Sequence, residues 1–291
     1  MTKPAITKPD VRGFFDPVTA TWTYVVWAEN DKKCAVIDSV LDYDPAAGRT
    51  STASADKVIY FIRNKGLQVE WILETHIHAD HLTASRYLKE KLGGKTAISG
   101  HILDVLKTWQ PIFHNESDTP QNDMPMDGSQ FDHLFKDDEK FSIGTLEAQM
   151  IHTPGHTPSD TAYIIGDTAF VGDAMFLPDV GTGRCDFPGG SAIDSYNSTR
   201  KLLALPDECR MYVGHDYPDG KNRSAQCMAF VAEQKASNIL AAVTAEKEAF
   251  VKNRTESDKN KRVPELLLPA LQVNLRGGVL GAYIKIPLNA I

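Results

Sequence analysis

The stretch Thr75-His76-Ile77-His78-Ala79-Asp80-His81 puts three imidazoles and one carboxylate within six positions. Neutral imidazole nitrogen and carboxylate oxygen are the donors that zinc, iron and manganese accept. Alternation in an extended segment points His76 and His78 the same way. Asp80 and His81 are expected to open a helix, where the dipole favours a carboxylate. Solvated histidines on a capped helix are the plainer explanation, and the density of the cluster argues against it. Three later groups suit the same site. They are His156 in Thr153-Pro154-Gly155-His156-Thr157, Asp173 in Gly172-Asp173-Ala174, and His215 in Gly214-His215-Asp216. Singly, each reads as a turn or cap residue. In this order after the histidine cluster, they reinforce one another.

The motifs THIHADH (75–81), TPGHT (153–157), GDA (172–174) and GHD (214–216) resemble those of the metallo-β-lactamase superfamily in order and rough spacing. The resemblance implies an α/β (α+β) fold, an αββα sandwich with the metal site at one edge of two sheets. If the site follows the superfamily's hydrolases, it holds two Zn(II). His76, His78 and His156 would then bind one ion, Asp80, His81 and His215 the other, with Asp173 bridging. A bridging hydroxide would be the nucleophile. Every donor of that set is present.

A further stretch, Asp179-Val180-Gly181-Thr182-Gly183-Arg184-Cys185-Asp186-Phe187-Pro188-Gly189-Gly190, resembles persulfide dioxygenases, and its GRCDFPGG form resembles their bacterial branch. The loop Asp42-Tyr43-Asp44-Pro45 with Gly48-Arg49-Thr50-Ser51-Thr52 is similar to that branch too. This likeness implies one Fe(II) on His76, His156 and Asp173, a facial triad with open positions. The substrates would be glutathione persulfide and O2, the products sulfite and glutathione. His78, Asp80, His81 and His215 would then orient ligands and waters by hydrogen bonds. The alternative is a dinuclear-zinc hydrolase of acyl-glutathione thioesters, as in glyoxalase II. A third possibility is a metal- or persulfide-binding sensor without turnover.

Arg184 is a candidate for a glutathione carboxylate, which a guanidinium grips with two parallel bonds; a surface pair with Asp186 is the plain alternative. Gly181 and Gly183 would let backbone approach a ligand, or simply turn the chain. Cys185 beside this loop would exchange with a persulfide if Arg184 favoured its thiolate. Tyr217 would donate a hydrogen bond or pack as a cover. His101, His114 and His133 are given no metal role.

Strands must aim these groups. Residues 23–30, 33–40, 69–76, 95–100, 146–156, 161–167, 168–175 and 210–216 read as strands, and 282–288 as a last one. Residues 56–65, 79–94, 193–205 and much of 223–253 read as helices. Loops are expected over 41–56 and 110–140, the second long enough to suggest function. Residues 10–291 are expected to form a single domain with a helical extension from about residue 220. The 291 residues are 42% apolar and 24% charged, which is globular composition with a sizeable core. A net charge of −7 and the lack of a basic aromatic stripe argue against nucleic acid. No run of apolar residues suits a membrane span. Four cysteines without a CxxC pair argue against a disulfide scaffold or zinc ribbon. A cytoplasmic setting is expected, and the helical extension is suited to a homodimer.

Overall fold

The computed structural model describes residues 8–113, 124–218 and 223–288. The chain opens with three antiparallel strands, β1 (Asp10–Asp16), β2 (Thr21–Trp27) and β3 (Lys33–Ile37). A hairpin of β4 (Val40–Asp44) and β5 (Arg49–Ser51) leads into α1 (Ala53–Lys65). Next come β6 (Gln68–Leu73), β7 (Leu82–Thr83), α2 (Ser85–Leu92), β8 (Lys95–Ser99), α3 (Ile102–Phe113) and β9 (His133–Phe135). Strands β10 (Lys140–Ile143), β11 (Leu146–His152), β12 (Thr161–Ile165) and β13 (Thr168–Phe170) form an antiparallel meander. A single 3-10 turn (Gly172–Ala174) and α4 (Ala192–Leu203) connect it to β14 (Arg210–Tyr212) and β15 (Met228–Phe230). Helices α5 (Val231–Ser237), α6 (Lys247–Asp258) and α7 (Leu267–Asn274) follow.

Two six-stranded sheets result, ordered β1-β2-β3-β6-β8-β9 and β10-β11-β12-β13-β14-β15. Their inner faces share one apolar layer. Tyr24, Val26, Ile37, Leu73 and Phe135 from the first meet Met150, Tyr163, Ile165, Phe170 and Tyr212 from the second. Side chains buried to this extent each contribute roughly 1.5–3 kcal/mol. Val58, Ile59 and Ile62 of α1 cover the first sheet's outer face with Leu88 of α2 and Ala270 and Val273 of α7. Leu202 and Leu203 of α4, Val231 of α5 and Phe250 of α6 cover the second. This is the αββα sandwich expected.

Local differences have physical causes. Residues 41–56 are not all loop: their Asp-, Ser- and Thr-rich composition hides the β4–β5 hairpin, and Asp42 caps α1 by accepting from Ser54 N and Oγ. The helix expected from residue 79 starts at Ser85, because Leu82 and Thr83 pair with Leu41 and Val40. Asp80 and His81 therefore sit in a loop, away from any helix N-terminus. The segment expected to be loop over 110–140 contains the end of α3, with β9 and the start of β10 beyond the residues left undescribed. Residues 282–288 form no strand.

Candidate metal centre

The histidine loop leaves the end of β6 and is held from both sides. Asp38, just past β3, accepts from Thr75 N at 2.7 Å and Thr75 Oγ1 at 2.9 Å. Asn274, at the end of α7, donates to the carbonyls of His78 and His81 at 2.8 and 2.9 Å. The loop thus sets the His76 and His78 rings side by side, centroids 4.1 Å apart.

The donors fall into two groups. In the first, one ligand atom each of His76, His156 and Asp173 lie within 4.8 Å of one another. His156 Nε2 is 3.6 Å from Asp173 Oδ2. His156 Nδ1–H donates to the Arg184 carbonyl at 2.7 Å, which fixes its tautomer and leaves Nε2 as the donor atom. His76 Nε2 and Asp173 Oδ1 are buried without a hydrogen-bond partner. Burial, then the neighbouring His78 and His156, holds His76 well below the usual histidine range, so it stays neutral.

The second group is His78, Asp80, His81 and His215. Asp80 Oδ2 lies 3.2 Å from His81 Nδ1 and 3.5 Å from His215 Nε2. Asp173 Oδ1 reaches His215 Nε2 at 3.4 Å, so this carboxylate stands between the groups. His78 turns Nε2 to Asp38 at 3.1 Å and Glu74 at 3.5 Å. Burial pushes the His78 pKa down, but these two carboxylates outweigh it and raise the pKa well above its ordinary value. His78 Nδ1 and His81 Nε2 have no partner. A buried polar atom without a partner costs about 1–3 kcal/mol. Several such donors facing one another fit a bound cation.

Backbone closeness shapes the Asp173 turn. Gly172 has φ +50°, and a Cβ there would strike the Thr75 side chain. A Cβ on Gly214 would lie 2.8 Å from Asp173 Oδ1.

The profile of the metallo-β-lactamase superfamily matches residues 16–215. The chain belongs to the metallo-β-lactamase superfamily. "Glyoxylase B2" of Dictyostelium discoideum is 47% identical over 97% of this chain and 98% of its own length. The "Beta-lactamase hydrolase-like protein" of Xylella fastidiosa is 44% identical over the whole chain, which spans 67% of that protein. Human mitochondrial "Persulfide dioxygenase ETHE1" is 28% identical over 92% of this chain and 89% of its own. Among solved structures, ETHE1 from Myxococcus xanthus superposes with a TM-score of 0.72 at 27% identity, covering 92% of this chain and 99% of that one.

Within this superfamily fold, the strap 179–190 braces the site through its backbone. Arg184 lines the cavity over the site and holds its guanidinium in protein contacts. It grips Asp186 with two bonds of 2.6 and 2.7 Å and donates to the Arg262 carbonyl at 2.7 Å. Gly183 donates to the Asp173 carbonyl at 3.0 Å and lies too close to it for any side chain. Gly181, at φ +101°, packs on Leu240. Neither glycine lines the cavity over the site. Cys185 is buried, and burial pushes its thiol up to about 12, so Arg184 does not favour a thiolate. Cys185→Ala is therefore expected to keep turnover within about twofold of the parent, and the thiol to resist alkylation near pH ~8. Rapid alkylation of Cys185 in the folded protein would reverse this conclusion.

A cavity of about 760 Å³ opens over both donor groups. Its apolar wall includes Phe176, Val180, Leu240 and Tyr217, and Lys261 and Arg262 stand on its rim with Arg184. Tyr217 stacks beside His215, centroids 6.0 Å apart, as a partly exposed cover.

Sequence reasoning missed the groups that hold the ligands. Thr21 Oγ1 lies 3.3 Å from His215 Nδ1 and 3.4 Å from His81 Nδ1. Asp38, Glu74 and Asn274 were also missed, each being an ordinary residue far along the chain from what it touches, apart from Glu74. The signal for Glu74 was its place directly before the histidine motif. His133 pairs with Glu139 at 2.7 Å, and His114 lies outside the described residues.

Proposed function

We propose that this chain is a persulfide dioxygenase, with His76, His156 and Asp173 holding one Fe(II). The compact group of two imidazoles and one carboxylate carries the reading, because His76 Nε2 and Asp173 Oδ1 are buried in it without a hydrogen bond. The likeness to persulfide dioxygenases over most of both chains supports it. Bound there, Fe(II) would supply the redox chemistry that lets O2 react with a persulfide sulfur. The overall conversion is R–S–SH + O2 + H2O → R–SH + SO3²⁻ + 2 H⁺. The chain's own part is to bind and orient. The Arg184 carbonyl fixes His156, Thr75 Oγ1 fixes His76 by its 3.1 Å contact with Nδ1, and the apolar wall holds the thiol carrier. Arg184, Lys261 and Arg262 around the cavity suit the carboxylates of glutathione. His78, Asp80, His81 and His215 would position ligands and water through hydrogen bonds.

A dinuclear-zinc thioester hydrolase is the second reading. It is favoured by the partnerless nitrogens of His78 and His81 and by relatives named glyoxylase and hydrolase-like. Anaerobically purified protein given glutathione persulfide separates the two. One iron per chain, with oxygen uptake matched by sulfite, supports the dioxygenase. Two zinc ions, acyl-glutathione cleavage and no oxygen uptake overturn it. His215→Ala adds a check: a one-ion site keeps most of its metal, whereas a two-ion site loses one ion.

A further inference from the structure

Outside the seven donors of the central site, His101, Asp137 and His152 form a separate group whose ligand atoms lie within 4.8 Å of one another. His101 immediately precedes α3, His152 ends β11, and Asp137 lies in the turn between β9 and β10. The two rings are parallel, with centroids 3.8 Å apart and planes 7° apart.

The outward nitrogens of both rings face acceptors. His152 Nε2–H donates to the Pro158 carbonyl at 2.8 Å, and His101 Nδ1 faces Asp104 Oδ2 at 3.7 Å. The inward nitrogens converge on one carboxylate. His101 Nε2 is 3.0 Å from Asp137 Oδ1, and His152 Nδ1 is 3.8 Å from Asp137 Oδ2. An acceptor behind each imidazole, with the other nitrogen turned towards a shared carboxylate, is the hydrogen-bonding pattern of metal-binding histidines; the partly exposed His101 ring would turn out of its stack on His152 to bring both lone pairs onto one ion. The His152–Asp137 contact points the same way. With its proton committed to Pro158, a neutral His152 turns a lone pair towards a carboxylate oxygen 3.8 Å away, and a cation between these two acceptors would satisfy both. A second proton on His152 is disfavoured by burial, and the adjoining His101 adds to this.

We propose that His101, His152 and Asp137 form a peripheral binding site for a divalent transition ion of the zinc class. Two imidazoles and a carboxylate, with water completing the sphere, match zinc's preferred donors. The half-exposed Asp137 side chain has room to swing aside and admit the ion. None of the three donors belongs to the central site. His101 follows a strand of the first sheet and His152 ends a strand of the second, so the ion ties the sheets together just before the loop that carries His156.

The test is equilibrium dialysis of the metal-free full chain against Zn²⁺, for the parent, His101→Ala, Asp137→Asn and Asp173→Ala. Asp137→Asn keeps the size of an exposed side chain, so it guards against a folding defect in His101→Ala. The parent is expected to bind one ion more than either peripheral variant, or to bind that ion at least about tenfold more tightly. Asp173→Ala should keep this ion while losing metal at the centre. Zn²⁺ should also raise the melting temperature of Asp173→Ala, and adding His101→Ala should remove that rise. Equal stoichiometry and affinity in the parent and both peripheral variants would overturn the proposal.

Discussion

Asp173→Ala is expected to strip the protein of its central metal and to cut turnover by more than about 10²-fold. Losing a partner that merely orients a ligand costs about 10–100-fold in metal affinity or activity, and losing a donor should cost more. Asp173 is the only carboxylate in the group with His76 and His156. Without it, neutral imidazoles alone would face a divalent ion in a buried site. Asp173 also reaches His215 at 3.4 Å, so a two-ion site would lose its bridge in the same variant. Asp173→Glu should rescue little, because Gly183 and Gly214 press on this residue's backbone and carboxylate and leave no room for a longer side chain to back away. Metal analysis and oxygen uptake on one preparation check this. A variant with full metal content would remove Asp173 from the ligand set.

Arg254→Ala is expected to cost about 3–5 kcal/mol of stability, the usual loss on breaking a buried ion pair from one side. Arg254 and Asp258 of α6 are 2% and 4% exposed, and Arg254 Nε donates to Asp258 at 3.0 Å. The pair also grips the strap. Arg254 donates to the Thr182 carbonyl at 3.0 Å, and Asp258 accepts from Cys185 N at 2.9 Å. Between those two contacts, Gly183 holds Asp173 and the Arg184 carbonyl holds His156. The alanine variant should therefore lose metal affinity as well as stability. Lys261 Nζ, 3.3 Å from Asp258, tempers the loss without replacing the planar fork. Urea unfolding followed beside metal content gives the measure. A stability change below about 1 kcal/mol would show that α6 does not brace the centre.

The chemistry of the site was legible because its donors are rare residue types in short, dense motifs. The αββα fold followed from the family that those motifs resemble. What supports the donors was much less legible. Thr21, Asp38 and Asn274 are common residues whose partners lie far along the chain, and nothing in their immediate neighbourhood marks them. Arg184 shows the reverse: its type suits a substrate carboxylate, and Asp186, two residues on, already pairs with it. The misplaced start of α2 has a similar cause. Helix-like spacing in 79–84 yields to strand pairing with the β4 hairpin, a contact between segments some 40 residues apart.

His76 follows a strand of the first sheet, whereas His156 and Asp173 follow strands of the second. The bite of the site is therefore a property of the layer between them, where Tyr24, Phe170 and Tyr212 pack with centroids 5.1 to 5.4 Å apart. These aromatics act as shims: a thinner or thicker layer would change every cross-sheet donor distance at once. A descendant chain that repacked them could keep each histidine and aspartate in its motif and still have lost the centre, and a search by motif would count it as intact.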